Sequence, residues 1–264
     1  MTDFVLVPGG YAGGWIWREV AGHLRAAGHQ AHPVTPTGLG DRRHLAGPDT
    51  GLDTHTEDVV QVLDHIAPQG ETTAPHVVVV GHSYGILPAL GAVGRRTGRV
   101  ARLVYLDTAL PRDGLSVLDA LPDPAARERL LRRAEESPDG RSVPPPPLED
   151  EKLWGSLAGI PRAGLERLAR LAAPMPLGAL TQPFHRTAPR ETEPPSTGIL
   201  CTASGFSTAM VRELVASGDP WFQPLADPRV GFFDLETGHY PMLSCPAELA
   251  GLLVRAAAGE GERL

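Results

Sequence analysis

The chain has 264 residues, 42% of them apolar, and 24 basic against 31 acidic side chains give a net charge of −7. That is ample material for a large core, and a mild acidic balance spread along the chain argues against nucleic acid and anionic membrane surfaces as partners. Cys201 and Cys245 give neither a disulfide framework nor a metal spacing, and no charged-then-apolar leader or membrane-length apolar run is present, so a cytoplasmic protein without metal or organic cofactor is expected.

In chain order, Phe4-Val5-Leu6-Val7 reads as a buried strand running into the glycine loop Pro8-Gly9-Gly10-Tyr11-Ala12-Gly13-Gly14. Such a loop brings backbone N–H groups close to a ligand, because glycine has no Cβ to hold it off. Residues 15–27 carry Trp17, Val20, Ala21 and Leu24 on one helical face, and Gly28 marks the stop. A second strand is expected over 30–35, then the turn-rich run Pro36-Thr37-Gly38-Leu39-Gly40-Asp41-Arg42-Arg43-His44. Asp53 or Thr54 is placed to cap a helix that runs to about Ile66.

His76-Val77-Val78-Val79-Val80 is apolar on both faces and so predicts a strand covered on both. It ends in Gly81-His82-Ser83-Tyr84-Gly85, and the small apolar residues from Ile86 onward have the character of a helix start. Strand, sharp turn and helix around Gly-x-Ser-x-Gly is the setting of a nucleophile elbow. The turn strains the serine backbone, leaves room only for glycine on either side, lifts the Ser83 hydroxyl above the sheet edge and sets the Tyr84 N–H beside it. The competing reading is a tight turn whose serine only caps the helix.

A further strand over 100–107 continues the alternation of strands and helices, which implies a parallel sheet with right-handed crossovers. Residues 111–195 break it. They are rich in Pro, Arg, Ala and Leu, show helical periodicity over 125–136, 148–157 and 163–173, and contain no convincing strand. The run Pro144-Pro145-Pro146-Pro147 reads as a stiff surface spacer. The sheet resumes at 198–202, with a helix over 207–217, a last strand over 230–235 and a closing helix over 245–258. The expected organisation is an α/β core of residues 1–110 and 196–264 with a helical cap of residues 111–195.

A serine nucleophile needs a base. Among ten histidines, His239 in Gly238-His239-Tyr240-Pro241-Met242 lies in the loop between the last strand and the closing helix, where it can reach across the strand ends to Ser83. His82 points away from the nucleophile by the geometry of the turn and reads as structural; His44, His55, His65 and His185 read as solvated or packing residues. The orienting acid belongs at a strand end between serine and histidine in sequence. Ala203-Ser204-Gly205-Phe206 offers none, whereas Val104-Tyr105-Leu106-Asp107 ends a strand on a carboxylate. Asp107 is therefore the first candidate, with Glu236, Asp234 or no acid as alternatives.

Four patches resemble the α/β-hydrolase superfamily, and within it the branch of small esterases, methylsalicylate esterases and hydroxynitrile lyases. They are Leu6-Val7-Pro8-Gly9-Gly10-Tyr11-Ala12-Gly13-Gly14-Trp15, Thr37-Gly38-Leu39-Gly40-Asp41-Arg42, the elbow, and Gly238-His239-Tyr240-Pro241-Met242-Leu243-Ser244-Cys245-Pro246. The resemblance implies that fold, a mainly parallel sheet flanked by helices with the cap inserted after the sixth strand of the family's sheet. It also implies Ser83 as nucleophile, His239 as base, and an oxyanion hole of the Gly10 and Tyr84 N–H groups. Three positions depart from the family pattern. Pro8-Gly9 stands for its His-Gly pair, Ser204 for the aspartate this branch carries there, and Tyr240 for the lysine of the hydroxynitrile lyases, which argues against cyanohydrin cleavage.

The expected activity is hydrolysis of a small or medium uncharged ester, lactone or thioester. Tyr11 and Tyr84 would touch the substrate, and Trp154, Leu157, Leu177, Leu180 and Phe184 would roof an apolar site, with Trp154 equally readable as cap core. Two other readings are a non-hydrolytic lyase or cyclase of secondary metabolism working with the same serine and histidine, and a ligand-binding homologue without catalysis. A small-molecule substrate, and a monomer or homodimer, are the expected partners.

Overall fold

The computed structural model describes residues 1–66 and 76–264. Its main sheet has six strands in the order β2-β1-β3-β4-β7-β8: β1 (Asp3–Val7), β2 (Gln30–Pro33), β3 (Val77–His82), β4 (Val100–Leu106), β7 (Ser196–Cys201) and β8 (Val230–Leu235). Every neighbouring pair is parallel. The four-valine run explains itself in this setting. Val77 and Val79 face the layer of α2 (Leu52–His65) and α3 (Ile86–Arg95), while Val78 and Val80 face that of α1 (Arg18–Ala26) and α10 (Pro246–Ala257). A strand with helices on both sides has no polar face to present.

The chain leaves β1 for β2 on one side and returns to β3 on the other. The loops after β1 and β3 therefore diverge, and a crevice opens between them at the carboxyl ends of the strands. The glycine loop and the elbow stand at this place. The 36–44 loop is tied in behind them: Asp58 of α2 accepts from the Thr37 N–H at 2.6 Å, the Thr37 hydroxyl at 3.0 Å and Arg42 Nη1 at 2.8 Å. His55, wholly buried on the same helix, donates through Nε2 to the Thr37 carbonyl and accepts at Nδ1 from the Tyr84 hydroxyl at 2.7 Å. His55 thus has a definite structural task, linking loop, helix and elbow. The N-cap of α2 is Gly51, not Asp53 or Thr54; Thr54 instead turns its hydroxyl back to accept from the Gly51 N–H.

Residues 111–195 lie between β4 and β7 and carry four helices joined by long irregular stretches: α4 (Pro124–Glu135), α5 (Glu151–Trp154), α6 (Arg162–Leu171) and α7 (Leu177–Thr181). The insertion also holds an antiparallel ribbon of β5 (Ser142–Val143) and β6 (Met175–Pro176), which corrects the expectation of no strand there. The proline run is likewise not a free spacer. Its residues lack N–H donors but keep their carbonyls, and those of Pro146 and Pro147 accept from Trp154 Nε1 at 2.9 and 3.1 Å while that of Pro144 accepts from Arg133 at 2.7 Å. After β7 come α8 (Thr208–Ala216) and, after β8, α9 (Pro241–Ser244) and α10. No helix among the described residues is long and apolar enough to cross a membrane.

Burial holds His55 below its ordinary value of 6.5. As pH falls through that value the unfolded chain takes up a proton more readily than the folded chain, so stability is lost on the acid side. Urea unfolding between pH 6.5 and 5 is expected to show a steeper loss of stability for the native chain than for His55→Gln; parallel slopes would contradict it.

Candidate active site

The elbow is built by crowding. A Cβ on Gly81 would stand 2.6 Å from the Ile86 Cα, and one on Gly85 2.4 Å from the Pro8 carbonyl oxygen. Both contacts are with backbone, so neither position has room for a side chain. Between them Ser83 takes φ 50°, and a hydroxyl on that turn stands clear of the strand. Three non-glycine residues have positive φ among the described residues: Tyr11 at 62°, Ser83 at 50° and Asp107 at 45°. They occupy the loop after β1 and the ends of β3 and β4, the three neighbouring strands on which the site rests. Strain of this kind, about 1–3 kcal/mol per residue, persists only where the surroundings enforce it.

The structure brings Asp107 and His239 together. His239 Nδ1 donates to Asp107 Oδ2 at 2.6 Å, and the other carboxylate oxygen accepts from the Cys201 N–H at 2.9 Å. The Asp107 side chain has no exposed surface. With Nδ1 committed as donor, the basic lone pair of a neutral His239 lies on Nε2. The alternative acids are elsewhere: Asp234 accepts from the Thr208 N–H and hydroxyl at the start of α8, and Glu236 is exposed. Burial and the Asp107 charge push the Cys201 thiol up, so it is an inert neighbour, and both cysteines are free.

His239 is held from two sides. Below it, fully buried His82 donates through Nε2 to the His239 carbonyl at 2.7 Å, with ring centroids 4.7 Å apart. Burial first, and the neighbouring His239 second, keep His82 well below the usual histidine range and hence neutral. Above it, the His239 N–H donates to the Ser156 carbonyl at 2.7 Å, and the Gly238 N–H to that of Ala158 at 3.2 Å. Gly155, with φ 82°, lies so close to the imidazole that a Cβ there would be 2.9 Å from His239 Cγ. The insertion is thus fastened directly to the histidine loop, a relation that no local sequence signal announced.

Gly9 and Gly10 separate into different tasks. A Cβ on Gly9 would strike His82 Nδ1 at 2.7 Å and come within 3.2 Å of Ser83 Cβ, whereas one on Gly10 would meet nothing within 4 Å. The loop therefore packs tightly against the elbow and leaves open space over Gly10. Tyr11 is half-buried and edge-on to Trp154 at 5.5 Å, and burial pushes its hydroxyl up to about 12, so it stays protonated.

Ser83 and Tyr84 form one end of a cavity of about 700 Å³. Its walls differ from those expected from the sequence. Leu87, Leu115, Leu121, Phe206 and Met210 line it, and Trp154, Leu157, Leu177, Leu180 and Phe184 do not. Trp154 is 3% exposed, spends its N–H on the proline run and packs edge-on to Tyr11 and Tyr240, so it seals the insertion against the core. The Tyr84 hydroxyl is likewise turned inward to His55. No group of three or more metal-ligating side chains is present among the described residues.

Over 122 residues the chain is 39% identical to a carbendazim hydrolyzing esterase of Nocardioides, covering 46% of this chain and 48% of that enzyme. It is 33% identical to the probable esterase PIR7A of rice over 42% of this chain and 40% of that protein. The chain thus spans about half or less of the length of these two relatives. To the lipase LipV of Mycobacterium tuberculosis it is 29% identical over 252 residues, 91% of this chain and 87% of that one. An extracellular α/β-hydrolase from Paenibacillus superposes with TM-score 0.72 at 20% identity, over 97% of this chain and 99% of that one, a likeness of fold alone. The sequence profile of the alpha/beta hydrolase family matches residues 4–252, and the chain belongs to that family.

Proposed function

We propose that the protein is a serine hydrolase of carboxylic esters that works through an acyl-enzyme on Ser83. The observation that carries this reading is the 2.6 Å contact of buried Asp107 with His239 Nδ1, in a chain whose Ser83 sits on a strained elbow. Ser83 Oγ attacks the ester carbonyl while His239 Nε2 takes its proton. Asp107 fixes the tautomer and stabilises the imidazolium. Negative charge on the carbonyl oxygen is met by the N–H groups of Gly10 and Tyr84, each worth about 3 kcal/mol in a preorganised site. His239 then protonates the departing alkoxide, and water, deprotonated by the same nitrogen, releases the acid. Tyr11 contacts the substrate from the loop beside Gly10. Residues 111–195 act as a cap whose Gly155 and Ser156 hold His239 in place.

Relatives named as esterases support this reading. So does the acid: a non-hydrolytic use of the same serine and histidine gains weight when the histidine lacks a partner, and here it has one. Three strained residues meeting at one place also support a chemical role, since strain clusters at functional sites.

Incubation with a fluorophosphonate, followed by intact mass, is expected to give one adduct per chain, absent in Ser83→Ala; a folded native chain that stays unlabelled would overturn the reading. On a chromogenic ester, Ser83→Ala is expected to lose all turnover above background. Asp107→Asn is expected to lower kcat by about four orders of magnitude, because the amide holds the wrong tautomer. Glu236→Gln should stay within about twofold of native, as expected of a surface substitution. A native-like rate for Asp107→Asn would remove Asp107 from the mechanism.

A further inference from the structure

The cavity that begins at Ser83 does not stay at the strand ends. On β7 its walls are Ser196, Gly198 and Leu200, and on β8 Val230 and Phe232. These are alternate residues, so they share one face of the sheet. The register runs from His82 to Leu106, from Leu106 to Ile199 and from Ile199 to Phe233. Ser83 is therefore level with Leu200, while Val230 lies across three strand spacings and four residues down. Standard strand rise and spacing make that diagonal roughly 19 Å.

Packing explains why space exists there. On the opposite face of the same strands Ile199, Phe233 and Leu235 are buried against Leu249, Ala250 and Leu253 of α10. On the cavity face, α2 and α3 cover β1, β3 and β4, but among the described residues β7 and β8 are packed there mainly by the nine-residue α8 and the turn at Gln223–Ala226. β7 adds small residues there, and the Phe232 ring lies flat enough that a Cβ on Gly198 would be 2.9 Å from it. Protein interiors are otherwise packed to crystal-like density, so about 700 Å³ left open beside a nucleophile is space for a ligand.

Resting on the acyl-enzyme reading, we infer that this cavity takes the acyl part of the substrate, and that the substrate class is esters of an elongated apolar carboxylic acid with a small alcohol. The assignment to the acyl side follows from proton transfer. The leaving alkoxide must collect its proton from His239, so the alcohol stands on the His239 side of Ser83. Neither His239 nor Tyr11 nor Trp154 is a wall of the cavity, so the cavity runs away from that side, where Gly155 packed against the His239 ring narrows the approach. Leu87, Leu121, Met210, Leu214 and Phe222 supply apolar contact along the cavity. Of the charged residues that line it, Arg229 pairs with Asp227, Glu193 with Arg186 and Asp119 with Arg127, and Arg112 lies over the Trp221 ring. Arg190 is in no ion pair among the described residues but has the Asp227 and Glu191 charges beside it, so no charge in the wall is left without a neighbour that a charged chain would have to supply.

The native enzyme is tested first, with p-nitrophenyl acetate, butyrate, hexanoate and octanoate. kcat/KM is expected to rise along the series by up to about fourfold per methylene, the value of a fully buried CH₂. Methyl octanoate is expected to be cleaved at least about tenfold better than octyl acetate. Leu214→Trp and, separately, Met210→Trp place an indole in the cavity and should lower the octanoate-to-acetate ratio of kcat/KM at least about tenfold. A flat or falling series with the short esters turned over, a preference for octyl acetate, or an unmoved ratio in both variants would overturn the assignment while leaving acyl transfer intact. An unlabelled Ser83 in the fluorophosphonate experiment would instead overturn both.

Discussion

A carboxylate with no exposed surface must have its charge met by the protein, because the cost of leaving it bare is several kcal/mol. Asp107 is in that position, and its two oxygens are answered by two different parts of the chain: the Cys201 N–H at the end of β7 and His239 Nδ1 in the loop after β8. Its own N–H donates to the Ile199 carbonyl. One side chain thus locks the ends of β4 and β7 and the histidine loop into a single geometry. The imidazole cannot turn without stranding the charge, and the charge cannot be solvated without opening the strand ends. The insertion completes the enclosure, since Gly155, Ser156 and Ala158 hold the same loop from the other side.

A second, neutral network lies beneath the charged one. His82 and His55 are both buried, both kept neutral by burial, and each spends Nε2 on a backbone carbonyl, of His239 and of Thr37 respectively. Through Tyr84, the second of these joins the elbow to α2 and to the loop held by Asp58. A cation at His82 would face His239 at 4.7 Å and compete with it for the proton. In the proposed mechanism, a neutral His82 leaves Asp107 as the charge that an imidazolium at His239 would meet.

What could be read in the sequence follows from how local each signal is. The elbow and the histidine loop are short motifs between a strand and a helix, so periodicity and glycine placement locate them. Asp107 was legible as the first candidate because it ends a strand beside the elbow strand, whereas Asp234 lies within its strand; that Asp234 is engaged at the start of α8 could not be read, because Thr208 is 26 residues away. The task of His82 was only half legible, because its partner lies 157 residues away. The proline run misled because its missing N–H groups suggest an unbound spacer, while its carbonyls hold Trp154 and Arg133. Strands of two residues, as in β5 and β6, carry no period to detect.

The cavity walls were illegible for a deeper reason. A core is announced by large apolar residues in a periodic pattern, but a cavity is made by what is small or absent. Ser196 and Gly198 are unremarked in a strand that otherwise reads as buried, and the shortness of α8 becomes meaningful only against the full helical layer over β1, β3 and β4. The source of the acid bears on the same region. With the carboxylate supplied by β4, the turn after β7 carries no charge that needs solvation, and its Phe206 closes part of the cavity wall. On the proposed mechanism, an acid drawn from β4 orients the base while the turn after β7 stays free of charge beside the cavity, so that both features would follow from the same choice.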